Sequence, residues 1–150
     1  MVVNMNYGTR LKSLRTYDLI TQKEIANYLK ISEKTYGLYE TQEKIIPLKH
    51  LNALCNYFNV SIDYMLGLSP TKQYEKSKEN INLKTLSNRL KKFRKENNIT
   101  LTQLANKINA HYTTLSNYEN GKNLISTSFL YDLCKNYHIS ADYLLGKINS

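Results

Sequence analysis

TQKEIANYLKISEKTYGLYE, residues 21–40, returns 79 positions later as TLTQLANKINAHYTTLSNYE, residues 100–119. Each copy opens with a capping box: Thr21 is followed three residues on by Glu24, and Thr100 by Gln103. In such a box the Thr hydroxyl accepts an orphan N–H of a helix's first turn, and the Glu or Gln reaches back to the Thr N–H. Ile25, Ala26 and Leu29 then continue a helical apolar face. Ser32 is placed to N-cap the next helix, which runs through Glu40. The spacing predicts two short helices joined by a tight turn, and it predicts them twice.

The match extends outward in both directions without a gap. Arg10, Leu11, Lys12 and Arg15 meet Arg89, Leu90, Lys91 and Arg94; Leu54-Cys55 meets Leu133-Cys134; Asp63-Tyr64 meets Asp142-Tyr143; Gly67 meets Gly146. About 20 of roughly 61 aligned positions are identical, which marks a duplicated structural unit. Upstream of the quoted stretch, Leu11 and Leu14 lie on one face of a helix from Tyr7 to Tyr17. Downstream, Pro47 suits the first turn of a fourth helix reaching about Asn59. Ser61 caps a last short helix that Gly67 ends. No segment alternates with period two for long enough to make a strand. The expectation is an all-α chain of two tandem five-helix domains, at residues 1–67 and 85–150. Residues 68–84, LSPTKQYEKSKENINLK, are polar and mixed in charge and open with Ser-Pro, so they read as a linker. Its reach as a flexible coil is about 20–25 Å, or part of it extends the next helix N-terminally.

Charge bounds the partners. The 150 residues carry a formal net charge of +9, which attracts polyanions. Residues 1–67 hold 8 Lys+Arg against 6 Asp+Glu, and residues 85–150 hold 9 against 4. The second half therefore dominates, with a run at Arg89, Lys91, Lys92, Arg94 and Lys95. That run reads either as a solvated helix face or as a phosphate-contacting one. No apolar run approaches the roughly 20 residues that span a bilayer, and the N-terminus lacks the apolar core of a secretory signal. A cytoplasmic location without membrane partners is expected. Cys55 and Cys134 stand at matched positions beside a core Leu, outside any CxxC or Cys/His cluster, so they read as small core residues. No metal and no cofactor is expected. No nucleophile–His–acid arrangement or Gly-rich phosphate loop is present either, which argues against an enzyme.

The ordered motifs resemble the lambda-repressor-like family, the Cro/CI or XRE helix-turn-helix type. The first half shows Arg15, Gln22 and Ala26 at R-x₆-Q-x₃-A, then Thr35-Tyr36, Tyr39-Glu40, Ile46-Pro47-Leu48 and SIDYMLG at 61–67. The second shows YENGK at 118–122 and SADYLLG at 140–146. The resemblance implies that helices two and three form the helix-turn-helix and that helix three enters the DNA major groove. It implies that Ala26 and Ala105 are small because helix three crosses them closely. Positions matching the family's reading face are Ser32, Glu33, Lys34, Gly37 and Leu38, and His111, Tyr112, Thr113, Ser116 and Asn117. Gln22 matches a phosphate-bonding Gln, and Lys44 and Lys122 lie on the backbone-contacting loop after helix three. His111 sits where a helix cap or a phosphate contact is expected. The pairs Arg15/Glu40 and Arg94/Glu119 match an ion pair that ties helix one to the end of helix three.

The sequence departs from the family at several of these positions. Leu101 replaces the Gln, Lys30 and Asn109 replace the turn Gly, and Gln42 stands where the second half keeps Gly121. Two functions follow. One is a sequence-specific double-stranded DNA-binding regulator, acting as a repressor by occupying an operator. There Lys34 donates to guanine, Glu33 accepts from cytosine, Leu38 touches a thymine methyl and Asn117 pairs with adenine. The other is a protein-interaction module, an antitoxin or adaptor, whose first domain binds a protein through the apolar Gly37-Leu38 stretch. Homodimerisation stays open, since two units in one chain either mimic a dimer or divide the tasks of dimerising and reading.

Overall fold

Capping residues fix where the helices begin. In the computed structural model, which describes residues 5–150, the box at Thr21 is complete and opens α2 (Gln22–Leu29). The box at Thr100 is complete too and opens α7 (Leu101–Lys107). Ser32 accepts from the Thr35 N–H to start α3 (Glu33–Thr41). Pro47 precedes α4 (Leu48–Tyr57), and Ser61 caps α5 (Ile62–Met65). With α1 (Tyr7–Tyr17) these make a five-helix unit. The second unit repeats it as α6 (Leu83–Glu96), α7, α8 (Tyr112–Glu119), α9 (Thr127–Tyr137) and α10 (Ala141–Leu144). The described residues form ten helices and no strand. The chain is two helix-turn-helix domains in tandem.

Gln73 closes the first compact unit and Tyr74 opens the second. The stretch read as a linker is divided between them. The Lys72 carbonyl accepts from the Ser61 N–H, the Thr71 carbonyl accepts from Ser61 Oγ, and Gln73 Nε2 donates to the Asn59 carbonyl. On the other side, the Lys78 N–H donates to Lys147 and the Asn82 N–H to Leu145. Asn82 Oδ1 then accepts from the Thr85 N–H at 2.9 Å and starts α6 at Leu83, inside the segment expected to link.

The repeat is written in the backbone as well as in the side chains. Leu19, Lys30, Gln42, Asn59 and Gly67 take positive φ in the first unit, and Asn98, Asn109, Gly121, His138 and Gly146 take it at the same five places in the second. Left-handed backbone costs a Cβ-bearing residue about 1–2 kcal/mol, least where Asn stands in for Gly. At three of these turns the second unit has Asn98, Asn109 and Gly121 where the first has Leu19, Lys30 and Gln42. Each core is closed by the inward faces of its own helices: Leu11, Ile25, Tyr36, Leu51 and Leu54 in one, Leu90, Leu104, Leu115, Leu130 and Leu133 in the other, all fully buried. Cys55 and Cys134 are buried within these cores as thiols outside any disulfide. No helix among the described residues is long and apolar enough to cross a membrane.

Candidate nucleic-acid interface

Whether a helix can read DNA depends on how firmly its inner face is held. In the first unit Ala26 is buried in α2, and Tyr36 and Tyr39 on α3 face inward. The second unit matches this with Ala105, Leu115 and Tyr118. The end of each third helix is tied down by a carboxylate. Glu40 accepts from Arg15 Nε at 2.6 Å and Nη2 at 3.1 Å; Glu119 accepts from Arg94 Nε at 2.6 Å and Nη2 at 3.0 Å. The same guanidinium donates through Nη1 to the carbonyl of Ile20 or Ile99, both at 2.9 Å. One planar fork thereby joins helix one, the turn into helix two and the end of helix three, a three-way link that a Lys ammonium does not reproduce.

The first unit adds two donors. Tyr36 Oη donates to Glu40 at 2.6 Å, and Gln22 Nε2 donates to it at 3.0 Å. The residue matched to the family's phosphate-bonding Gln thus has its amide on Glu40 in the free chain. Burial alone would raise the Glu40 pKa, but hydrogen bonds from Arg15, Tyr36 and Gln22 outweigh it and hold the carboxyl below its ordinary value. Burial first, then the bond to Glu40, pushes the Tyr36 hydroxyl far up, so it stays a neutral donor. At the second unit's Gln position stands Leu101, half-buried, and Tyr36 is replaced by Leu115.

Sequence reasoning missed a second lock at the same end. Gly8 is buried, and a Cβ there would collide with the Glu40 carbonyl oxygen. Its N–H donates to Gln42 Oε1 at 3.0 Å, which satisfies an orphan donor in the first turn of α1. The second unit exchanges the sizes: Ser87 replaces Gly8, and Gly121 replaces Gln42. The exchange becomes visible only when the two copies are compared at both positions together.

The outward face of α3 carries Ser32, Glu33 and Lys34 exposed, with Gly37 and Leu38 half-buried. The outward face of α8 carries His111, Tyr112 and Thr113 exposed, with Ser116 and Asn117 half-buried. Ser32 caps α3, whereas His111 occupies the N-cap of α8 and its ring makes no capping hydrogen bond. Lys44 and Lys122 are exposed on the loops after these helices, one residue out of register in the repeat. The basic run of the second unit separates into two kinds of residue. Arg94 serves Glu119. Arg89 donates to the carbonyls of Tyr143 and Ile148 and lies 4.1 Å over the Tyr143 ring. Lys91, Lys92 and Lys95 remain exposed.

Gly37 and Leu38 are half-buried, and neither is among the strongly exposed apolar side chains. The exposed aromatic side chains of this unit lie elsewhere: Tyr17 ends α1, and Tyr57 packs edge-on against both Tyr28 and Phe58. Tyr39 and Tyr118, at matched positions, are buried: Tyr39 Oη lies 3.3 Å from His50 Nδ1, and Tyr118 Oη accepts from the Ser126 N–H. No cluster of metal-ligating side chains occurs among the described residues.

Comparison with known proteins agrees with this architecture. A helix-turn-helix model matches residues 11–65, and a helix-turn-helix domain model matches residues 87–150. The two matches fall one in each five-helix unit, so each unit is a helix-turn-helix domain. It is 38% identical over 63 residues to the uncharacterized HTH-type transcriptional regulator YobD of Bacillus subtilis (strain 168), covering 42% of this chain and 56% of that protein. It is 38% identical over 60 residues to the SPbeta prophage-derived uncharacterized HTH-type transcriptional regulator YonR of the same organism, covering 40% and 56%. It is 40% identical over 63 residues to the HTH-type transcriptional regulator ImmR, also of Bacillus subtilis (strain 168), covering 42% and 50%. The matched segments span about half the length of these relatives. No solved structure matches the chain significantly.

Proposed function

We propose that this chain is a sequence-specific double-stranded DNA-binding transcriptional regulator that represses by occupying an operator. The observation that carries the reading is made twice. A short third helix is locked on its inner side by a buried Arg–Glu pair, and it presents polar side chains outward. Rigid support beneath an exposed polar helix is what major-groove reading needs, because base-edge hydrogen bonds tolerate little misplacement. The regulator names of the relatives support the same reading. The protein acts by binding and not as an enzyme, and it works in the cytoplasm, where an operator is reached.

Capture is electrostatic. Lys44 and Lys122 flank the reading helices, and Lys91, Lys92 and Lys95 add exposed charge to the second unit. Neutralised phosphates release counterions, so affinity falls as a power of salt concentration. Base reading follows through Glu33, Lys34 and Leu38 on α3 and through Tyr112, Thr113, Ser116 and Asn117 on α8. The more polar face and the higher charge assign at least half of the binding energy to the second unit. Fluorescence anisotropy with a random-sequence duplex at rising salt tests the capture step. A slope of several units in log K against log salt is expected, and binding that is absent or flat in salt contradicts the reading.

A further inference from the structure

The two units share a frame but not a text. The frame is the same in both: a Thr capping box, a buried Ala under the third helix, an Arg–Glu lock and five left-handed turns at matched positions. The five outward positions all differ: Ser32 against His111, Glu33 against Tyr112, Lys34 against Thr113, Gly37 against Ser116, and Leu38 against Asn117. One face offers an anion, a cation and an aliphatic group. The other offers uncharged donors and acceptors and an aromatic ring. Even the support beneath has diverged in step. Gln22 Oε1 lies 3.5 Å from where a Cβ on Gly37 would stand, while the second unit has Leu101 with Ser116 at the same places.

A symmetric dimer reads a palindrome because its two reading helices are chemically identical. This chain carries two that are not. We propose that its target is a bipartite, non-palindromic duplex site, one half read by α3 and the other by α8, occupied by a single chain. The inference rests on the DNA-binding reading above and adds the class of sequence bound. In the first half-site, Lys34 suits guanine O6/N7, Glu33 suits the cytosine amino group and Leu38 a thymine methyl. In the second, Asn117 suits adenine N6/N7, with Thr113 and Tyr112 available to a thymine methyl. A symmetric sequence would satisfy one face and leave the other with mismatched donors and acceptors.

The test is selection of bound duplexes from a random pool with the full chain, followed by native mass measurement of the winning complex. Selection is then repeated with full-length Lys34→Ala and Asn117→Ala, the first exposed and the second half-buried, with folding of both checked by circular dichroism. Two dissimilar half-sites, with one chain per duplex, are expected. Each variant should relax preference at one base pair by about five- to a hundredfold, and in different halves. An inverted repeat holding two chains, a single enriched half-site, or both variants altering the same bases would overturn the proposal while leaving DNA binding standing. Failure to retain any duplex at low salt would overturn the DNA-binding reading itself.

Discussion

Replacing Glu40 with Gln keeps the shape of the side chain and removes its charge. Glu40 accepts four hydrogen bonds, at 2.6 and 3.1 Å from Arg15, 2.6 Å from Tyr36 and 3.0 Å from Gln22. Only 4% of its side chain is exposed, against 11% for Arg15. Breaking a buried pair by neutralising one partner costs about 3–5 kcal/mol, because the other charge stays behind without its partner. The small exposure of Arg15 returns some hydration, so Glu40→Gln is expected to cost about 3 kcal/mol at neutral pH. For a domain of this size that lowers Tm by roughly 15 °C. Glu119 accepts only the two bonds from Arg94 that the geometry provides, and Glu119→Gln should cost about 2 kcal/mol.

Acid supplies the control. The folded-state pKa of Glu40 lies below its ordinary value. Its stabilisation is therefore complete above the ordinary carboxylate range and is lost as pH falls through the lowered value. The difference between wild type and Glu40→Gln should hold from neutral pH down to the ordinary carboxylate range and shrink as pH falls below it. Hydrogen exchange at the α3 amides reads the first unit separately, with the α8 amides as the reference that does not change. A difference that stays constant with pH, or a Glu40→Gln protein as stable as wild type, would refute the argument that this pair locks the reading helix.

Other substitutions probe separate links. Lys30 adopts φ 60°, so Lys30→Gly should stabilise the first unit by about 0.5–1 kcal/mol; a lowered Tm would show that the turn is not strained. Gly8→Ala drives a methyl into the Glu40 carbonyl and should destabilise by about 1–3 kcal/mol, measured by denaturant unfolding; a neutral result would mean that α1 shifts freely. On a selected duplex, Asn117→Ala should cost about 1–3 kcal/mol at one base pair, whereas Lys122→Ala should weaken all sequences alike and reduce the salt slope by about one unit. Base-by-base competition titrations separate these two outcomes.

The frame was legible because it is built from local chemistry. Thr21, Thr100, Ser32 and Ser61 announce helix starts through side chains that reach only three residues. What stayed hidden depends on partners distant in sequence. Gln42 signals no turn, yet it takes a left-handed conformation and caps Gly8 from 34 residues away. Gln22 reads as a phosphate ligand by position, and its second role on Glu40 requires α3 to be in place. Arg89 is one charge in a basic run until the carbonyls of Tyr143 and Ile148 are brought beside it. The alternative that part of the 68–84 segment extends the next helix is the one the structure takes: α6 starts at Leu83, with Asn82 capping it three residues before Thr85. The base-reading roles of α3 and α8 are read from position and exposure.

The central claim is recognition of sequence, beyond attraction to charge. The most direct measurement is the affinity of the full chain for a duplex chosen by selection, against the same duplex with its bases scrambled, at physiological salt. A DNA-binding regulator built on these two units should prefer the selected duplex by about a thousandfold or more. Equal affinity for the two duplexes, or no binding to either, would contradict it.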